Sequence, residues 1–215
     1  MNATAMSTRD ADASPPQDHA IREVPIDELV GMRPCHRFKG VARCGKPWDL
    51  SHLDPFAFRI DPGLGFDITV VVLFSCHCFT KSIGRDGRPR AQIPNEEIFD
   101  DGREVRVLCE DRYALSQRYL PGLVRKLQRS IIRFARENPQ NFLTIEEFAE
   151  PRAGERRHYV VFFSVQRDAR RKRQLFMQVQ SAYVKHPFEA WLTKGRRVSL
   201  ERLLNATVTG RRLKG

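Results

Sequence analysis

The amino-acid sequence predicts an α+β fold in which an antiparallel or mixed sheet carries a main helix on one face. Residues 159–185 alternate apolar and polar side chains on both sides of a short basic segment, which is typical of two strands joined by a loop. Residues 120–134 place apolar side chains three and four positions apart, which indicates a helix with one core-facing stripe. Because the later strands follow one another closely along the chain, we expect them to pair antiparallel.

The N-terminal third of the chain is predicted to lie outside this core. Residues 1–20 are small, polar and proline-containing, which favours disorder. Residues 21–65 are rich in turn residues and predict a loop-rich segment that covers the core. The α+β core domain is therefore placed at residues 66–208, with a basic tail at residues 209–215.

Three strands are predicted in addition to the hairpin. Residues 66–80 form the strongest of them, since their centre is apolar on both sides, as in a central strand covered on both faces. Residues 104–110 and 141–146 predict the other two.

Two helical regions flank the later strands. The first spans residues 111–137, and Pro121 is expected to break it in two because proline removes a backbone hydrogen bond. The second spans residues 198–208, where Ser199 is a candidate N-cap and Gly210 ends the helix.

The positive charge of the chain is concentrated in two windows. The formal net charge is +11, and residues 152–173 and 194–214 hold eight and seven cations against two acids and one. A local excess of this kind suggests RNA, another polyanion or an acidic protein as the partner. The candidate nucleic-acid contacts are Arg125, Arg129, Arg133, Arg167, Arg170, Arg171, Lys172, Arg173, Arg196 and Arg197. The loop at 167–173 contains no apolar anchor apart from one alanine, so we expect it to be mobile in the free protein.

The sequence favours a cytoplasmic protein without a cofactor. It contains no apolar run of membrane-spanning length, and its start lacks the apolar segment of a secretory signal. The odd number of cysteines, five, favours free thiols in a reducing compartment. The motifs of nucleotide-binding loops, zinc proteases and serine hydrolases do not occur.

His77 is the main candidate for catalysis. In an extended strand it would leave the strand end beside Ser75, on a face that turns polar, and an imidazole there can act as a general acid or base. Arg112, near a helix start, could stabilise charge on a phosphate. Ser181 and Tyr183 are weaker candidates for positioning a substrate. A histidine that only forms hydrogen bonds at the end of a sheet is the alternative.

A metal site is not expected. Cys35, His36, Cys44, Cys76, His77 and Cys78 could supply ligands, but their spacing lacks the paired cysteines of most zinc sites. An extended strand would also place His77 on the face opposite Cys76 and Cys78.

Four segments carry a resemblance to a family. FSCHCFT (74–80), RYALSQRYLPGLV (112–124), NFLTIE (141–146) and VQSAYVK (179–185) resemble a family of uncharacterised bacterial proteins that are often carried on mobile elements. The first run has Cys76 where serine is common in that family. The layout and basic charge are also similar to the compact ribonuclease toxins grouped around barnase, EndoU, colicin endonucleases and RelE, which implies metal-independent RNA cleavage.

The leading hypothesis from the sequence is therefore an RNA-directed protein of the metal-independent endoribonuclease toxin type. A nucleic-acid-binding protein without catalysis is the first alternative. A module that binds an acidic protein, such as an antitoxin or regulator, is the second.

Overall fold

The computed structural model describes residues 21–29, 38–135, 141–149, 156–185 and 189–213. The predicted disordered tail at 1–20 lies outside these residues, as do Cys35 and His36. The strands in chain order are β1 (Arg22–Val24), β2 (Ala42–Arg43), β3 (Lys46–Pro47), β4 (Phe56–Ile60), β5 (Ile68–Phe74), β6 (Thr80–Ser82), β7 (Ile98–Asp100), β8 (Val105–Leu108), β9 (Ile132–Phe134), β10 (Asn141–Ala149), β11 (Arg156–Arg167), β12 (Gln174–Val184) and β13 (Arg197–Val198). The α-helices are α1 (Glu110–Arg125), α2 (Trp191–Lys194) and α3 (Leu200–Thr209).

Eight of these strands form one mixed sheet in the order β1-β4-β5-β12-β11-β10-β9-β13. Among the described strands of this sheet, neighbours run antiparallel except β5 and β12, which run parallel. Strands β6, β8 and β7 form a second, smaller sheet. The predicted α+β class with an antiparallel or mixed sheet is confirmed.

The predicted hairpin is the long antiparallel pair β11–β12 at the centre of the sheet. Alternate residues of β11 enter different cores: Val161 and Phe163 lie in the main core, whereas Val160 packs in a smaller core on the opposite face. The pairing shifts between Phe162 and Phe163, which indicates a β-bulge. The central strand β5 is buried on both faces, as its apolar run predicts.

Helices α1 and α3 both contribute to the main core, through Leu120, Leu123, Leu203 and Leu204. The predicted caps of α3 are confirmed. The Ser199 side chain accepts a hydrogen bond from the backbone amide of Arg202, and Gly210 ends the helix in the left-handed conformation with φ 72°.

The prediction of a helix break at Pro121 is wrong. Pro121 lies inside α1, which continues to Arg125 because Leu123 and Val124 are held in the core. The second predicted helix is replaced by a 3-10 turn at Leu127–Arg129 and by strand β9. Arg125, Arg129 and Arg133 therefore lie on three different elements and do not form one helical stripe.

The segment at 21–65 does more than cover the core, because β1 and β4 extend the main sheet beyond β5. It also contains the two-residue hairpin β2–β3. Its loop residues Cys44 and Gly45 both have positive φ angles, 49° and 72°, which is the type I′ geometry that such hairpins require.

The basic loop at 167–173 has more internal anchors than its composition predicts. Asp168 accepts hydrogen bonds from the amide of Arg170 and from the side chain of Gln174. The guanidinium of Arg173 lies 4.4 Å from the ring centroid of Phe66. These contacts define a closed turn, so the argument that nothing anchors the loop is wrong. No helix among the described residues is long and apolar enough to span a bilayer.

Candidate functional site

The residues after β5 fold into a 3-10 turn at Cys76–Cys78, and the predicted extended strand to residue 80 is wrong at this point. Ser75 causes the change of direction. Its hydroxyl accepts a hydrogen bond from the backbone amide of His77 and donates one to the carbonyl of Gln180 on β12. The turn lies beyond the carboxyl end of β5, and the chain then enters the small sheet as β6.

His77 pairs with Glu104, which lies 27 residues further along the chain. Nε2 of His77 is hydrogen-bonded to Oε1 of Glu104, and both side chains are about one-third exposed, at 34% and 40%. The second oxygen of Glu104 accepts a hydrogen bond of 2.8 Å from Arg106, which is buried. Partial burial alone raises the pKa of Glu104, but the hydrogen bonds from His77 and Arg106 outweigh it and lower that pKa.

Cys76 faces the same carboxylate and a second one. Its Sγ lies 3.6 Å from Oδ2 of Asp101 and 4.0 Å from Oε1 of Glu104. Burial, with the negative charge of Asp101, raises the pKa of the Cys76 thiol to about 11. The sulfur of Cys76, the imidazole of His77 and the carboxylate of Glu104 each offer a ligand atom, all within 4.8 Å of one another. The geometric argument that separated His77 from Cys76 is therefore wrong.

A cavity of about 640 Å³ opens over this cluster. Gln178, Gln180 and Ser181 of β12 line this cavity together with Arg103. Ser181 and Gln180 also line a neighbouring cavity of about 220 Å³, which contains Tyr183. The predicted residues His77 and Ser181 thus share one cavity, whereas Tyr183 belongs to the next.

Arg112 is committed to the protein backbone. Its Nη1 donates to the carbonyls of His77 and Thr80, at 3.0 and 2.7 Å. Its guanidinium also lies 4.7 Å from the ring centroid of Tyr183, and burial lowers the pKa of Arg112. The arginine therefore fixes the turn that carries His77 and is not a lining residue of the two cavities.

A separate groove, which we call the basic groove, runs between β11 and the end of α3. It encloses about 530 Å³ and brings Arg167 together with Arg211 and Arg212. A Cβ atom on Gly210 would lie 3.6 Å from Nη1 of Arg167, so the loop end of β11 touches the C-terminus of α3. The two basic windows of the sequence therefore meet on one surface.

A second cavity of about 230 Å³ extends the basic groove and shares Arg212 with it. Arg196, Arg197 and Arg202 line this extension, and none of the described residues lining either cavity is acidic. Gly195 permits this arrangement, because a Cβ atom there would lie 2.5 Å from the carbonyl oxygen of Phe134.

The other predicted contacts lie elsewhere. Arg125 forms two hydrogen bonds with Glu23 and lies 4.3 Å over the ring of Phe56. Arg129 is exposed at the end of its 3-10 turn. The residues Arg170, Arg171, Lys172 and Arg173 form the closed turn at the hairpin tip.

Several residues of these sites were missed by sequence reasoning. Glu104 approaches His77, and Asp101 approaches Cys76, only through the pairing of β6 with β8, which no local pattern reveals. The sequence predicts Arg211 and Arg212 only as part of the basic tail, and Arg202 only as one cation of the window 194–214. Nothing in the sequence indicates that α3 packs beside β11, so none of the three is predicted to line a binding surface.

The comparisons with known proteins identify a family and no closer relative. The family model of the YjaZ family matches residues 40–208, which is most of the chain and includes β4 as well as the predicted core. Neither the curated proteins nor the solved structures contain a significant match. The match over residues 40–208 shows that the chain belongs to the YjaZ family.

Proposed function

We propose that this protein binds RNA along the basic groove and its extension. The observation that carries the proposal is the convergence of two distant basic windows, which gives one surface lined by Arg167, Arg196, Arg197, Arg202, Arg211 and Arg212. Arginine suits this task because its planar guanidinium binds phosphate oxygens through paired hydrogen bonds.

The charge on this surface is largely uncompensated within the described protein. Five of these arginines form no salt bridge with any carboxylate of the described residues: Arg167, Arg197, Arg202, Arg211 and Arg212. Arginines that are crowded without counter-charges repel one another, and a bound polyanion removes that repulsion. Phosphate groups spaced along a nucleic-acid strand provide such a charge pattern.

The floor of the basic groove supplies hydrogen-bonding groups as well as charge. The side-chain amide of Gln180 donates to Asn141 and to Ser164, both at 3.2 Å. Amides and hydroxyls of this kind can bind base edges and the 2′-hydroxyl that distinguishes RNA from DNA. This polar floor, together with the arginines, supports RNA as the ligand.

Binding is better supported than cleavage. Metal-independent cleavage needs a base, an acid and a cation for the phosphate. His77 with Glu104 suits the role of the base, but Arg112 is committed to two backbone carbonyls. The hypothesis of a ribonuclease toxin therefore lacks its proposed phosphate ligand, and Arg103, which lines the cavity with His77, is a candidate replacement.

The proposal is tested by binding of a labelled single-stranded RNA to the full chain and to a variant with Arg211→Gln and Arg212→Gln. We expect the double variant to bind about tenfold or more weakly, because each lost phosphate contact removes charge-assisted hydrogen bonds. The matched control is Arg125→Gln with Arg129→Gln, which removes the same charge outside the groove.

Three outcomes would contradict the proposal. The first is an equal loss of affinity in both double variants, and the second is binding of polyglutamate as tight as that of RNA. Binding of single-stranded DNA as tight as that of RNA would contradict the part of the proposal that concerns the 2′-hydroxyl.

A further inference from the structure

We infer that Cys76, His77 and Glu104 form a binding site for a divalent transition-metal ion of the zinc class, with the carboxylate of Asp101 beside Cys76. The three first-named residues bring a sulfur, a nitrogen and an oxygen atom within 4.8 Å of one another. The inference is independent of RNA binding, because none of these four residues lines the basic groove.

Both carboxylates are oriented with one oxygen fixed and the other directed at the cluster. Oδ1 of Asp101 accepts hydrogen bonds from the amides of Arg103 and Glu104, at 2.9 and 3.0 Å, which leaves Oδ2 facing Cys76. Arg106 holds Oε2 of Glu104, which leaves Oε1 facing Cys76 and His77. Hydrogen bonds of this kind to the outer atoms of ligands orient metal sites.

The turn that carries Cys76 and His77 is also held in place. The carbonyl of Cys76 accepts hydrogen bonds from the Thr80 hydroxyl, at 2.7 Å, and from the amide of Phe79, at 3.1 Å. Arg112 binds the carbonyl of His77. The backbone on both sides of the two ligand side chains is therefore fixed before any ion binds.

The two sulfur–oxygen separations are close to those of a tetrahedral zinc site. Zinc–sulfur and zinc–oxygen bonds of about 2.3 and 2.0 Å place the two ligand atoms about 3.5 Å apart. Sγ of Cys76 lies 3.6 Å from Asp101 and 4.0 Å from Glu104. Binding would displace the thiol proton of Cys76 to solvent, because the thiolate is the metal ligand.

The donor set selects the class of ion. A thiolate and an imidazole favour Zn²⁺ or Co²⁺ and disfavour Mg²⁺ and Ca²⁺, which prefer oxygen ligands. The cavity of about 640 Å³ above the cluster leaves the ion accessible to water or a small ligand.

The test is titration of the full chain, freed of metal by a chelator, with Co²⁺ alone and with Zn²⁺ alone. We expect one ion per chain and a thiolate-to-Co²⁺ charge-transfer absorption that Zn²⁺ removes. Cys76→Ser should abolish this absorption, and Glu104→Gln should weaken Zn²⁺ binding by about 10- to 100-fold or more. Cys109→Ser is the matched control, because residue 109 is the N-cap of α1, where serine is well suited.

Circular dichroism of each variant separates loss of metal from loss of fold. Glu104→Gln should keep the fold in any case, since its side chain is 40% exposed. Absence of a 1:1 complex at micromolar Zn²⁺ would overturn the inference. Retention of the charge-transfer absorption in folded Cys76→Ser would also overturn it, as would its loss in Cys44→Ser instead.

Discussion

Arg133 of β9 lies directly opposite Arg197 of β13 in an antiparallel pair. Burial, together with the positive charge of Arg197, lowers the pKa of Arg133. Like charges in directly paired positions destabilise a sheet, so this edge is less stable than it could be. Of the two, Arg197 also lines the extension of the basic groove.

Replacing Arg197 by threonine should therefore stabilise the free protein. We expect the free energy of unfolding to rise by about 0.2–1 kcal/mol at low salt, with a smaller gain at high salt, where the repulsion is screened. Urea unfolding at two salt concentrations measures this, with Arg129→Thr as the control. A loss of stability in Arg197→Thr would show that the pair is not repulsive.

Arg112→Ala should lower the stability of the folded protein. The substitution leaves the carbonyls of His77 and Thr80 without their donor and removes the contact with Tyr183. We expect a loss of about 2–5 kcal/mol in the free energy of unfolding. Arg118→Ala is the control, since Arg118 is an exposed arginine of the same helix. A loss below about 1 kcal/mol in Arg112→Ala would contradict the structural role of Arg112.

The sequence alone was sufficient to predict those elements whose structure is set by residues close together in the chain. The hairpin β11–β12 and helix α3 follow from alternation, the serine cap and the terminal glycine. It failed at Pro121, where burial of Leu123 and Val124 keeps the helix intact. It failed also at the end of β5, where Ser75 starts a turn in a run that otherwise favours a strand.

The candidate sites depended on contacts between distant residues. His77 was found from the sequence, but its partner Glu104 depends on how β6 pairs with β8. Arg167 was found as part of a charged loop, but its position beside Arg211 depends on where α3 packs. Such pairings are set by the whole core and have no local signature.

Glu97 should make the protein sensitive to acid. It accepts a hydrogen bond of 2.6 Å from Arg88, which lowers the pKa of the Glu97 carboxyl. A carboxyl group whose pKa is lowered by folding stabilises the protein above its unfolded pKa of about 4.3, and this contribution is lost as the pH falls through the folded value.

Glu97→Gln should thus destabilise the protein at pH 7 and flatten the decline of stability between about pH 5 and pH 3. Denaturant unfolding across this pH range measures the effect. Glu96→Gln is the control, because its side chain is exposed in the same turn. Parallel pH profiles for wild type and Glu97→Gln would contradict the role of Glu97.

No cleavage of RNA is expected in excess EDTA, because Arg112, the residue proposed to bind the phosphate, already donates to two backbone carbonyls. Gel analysis of a labelled RNA after long incubation tests this, alongside His77→Ala. Since the His77 side chain is one-third exposed, that variant should keep its fold. EDTA-resistant cleavage that His77→Ala abolishes would restore the metal-independent ribonuclease.

The salt dependence of RNA binding tests the basic groove most directly. For single strands, log K falls by about 0.7 per neutralised phosphate with each log unit of salt. Replacing Arg197, Arg211 and Arg212 by serine should flatten the slope by about two units, whereas replacing Arg170, Arg171 and Lys172 at the hairpin tip should change it by less than about one. An unchanged slope in the groove variant, with a flattened slope in the tip variant, would contradict the groove as the RNA-binding surface.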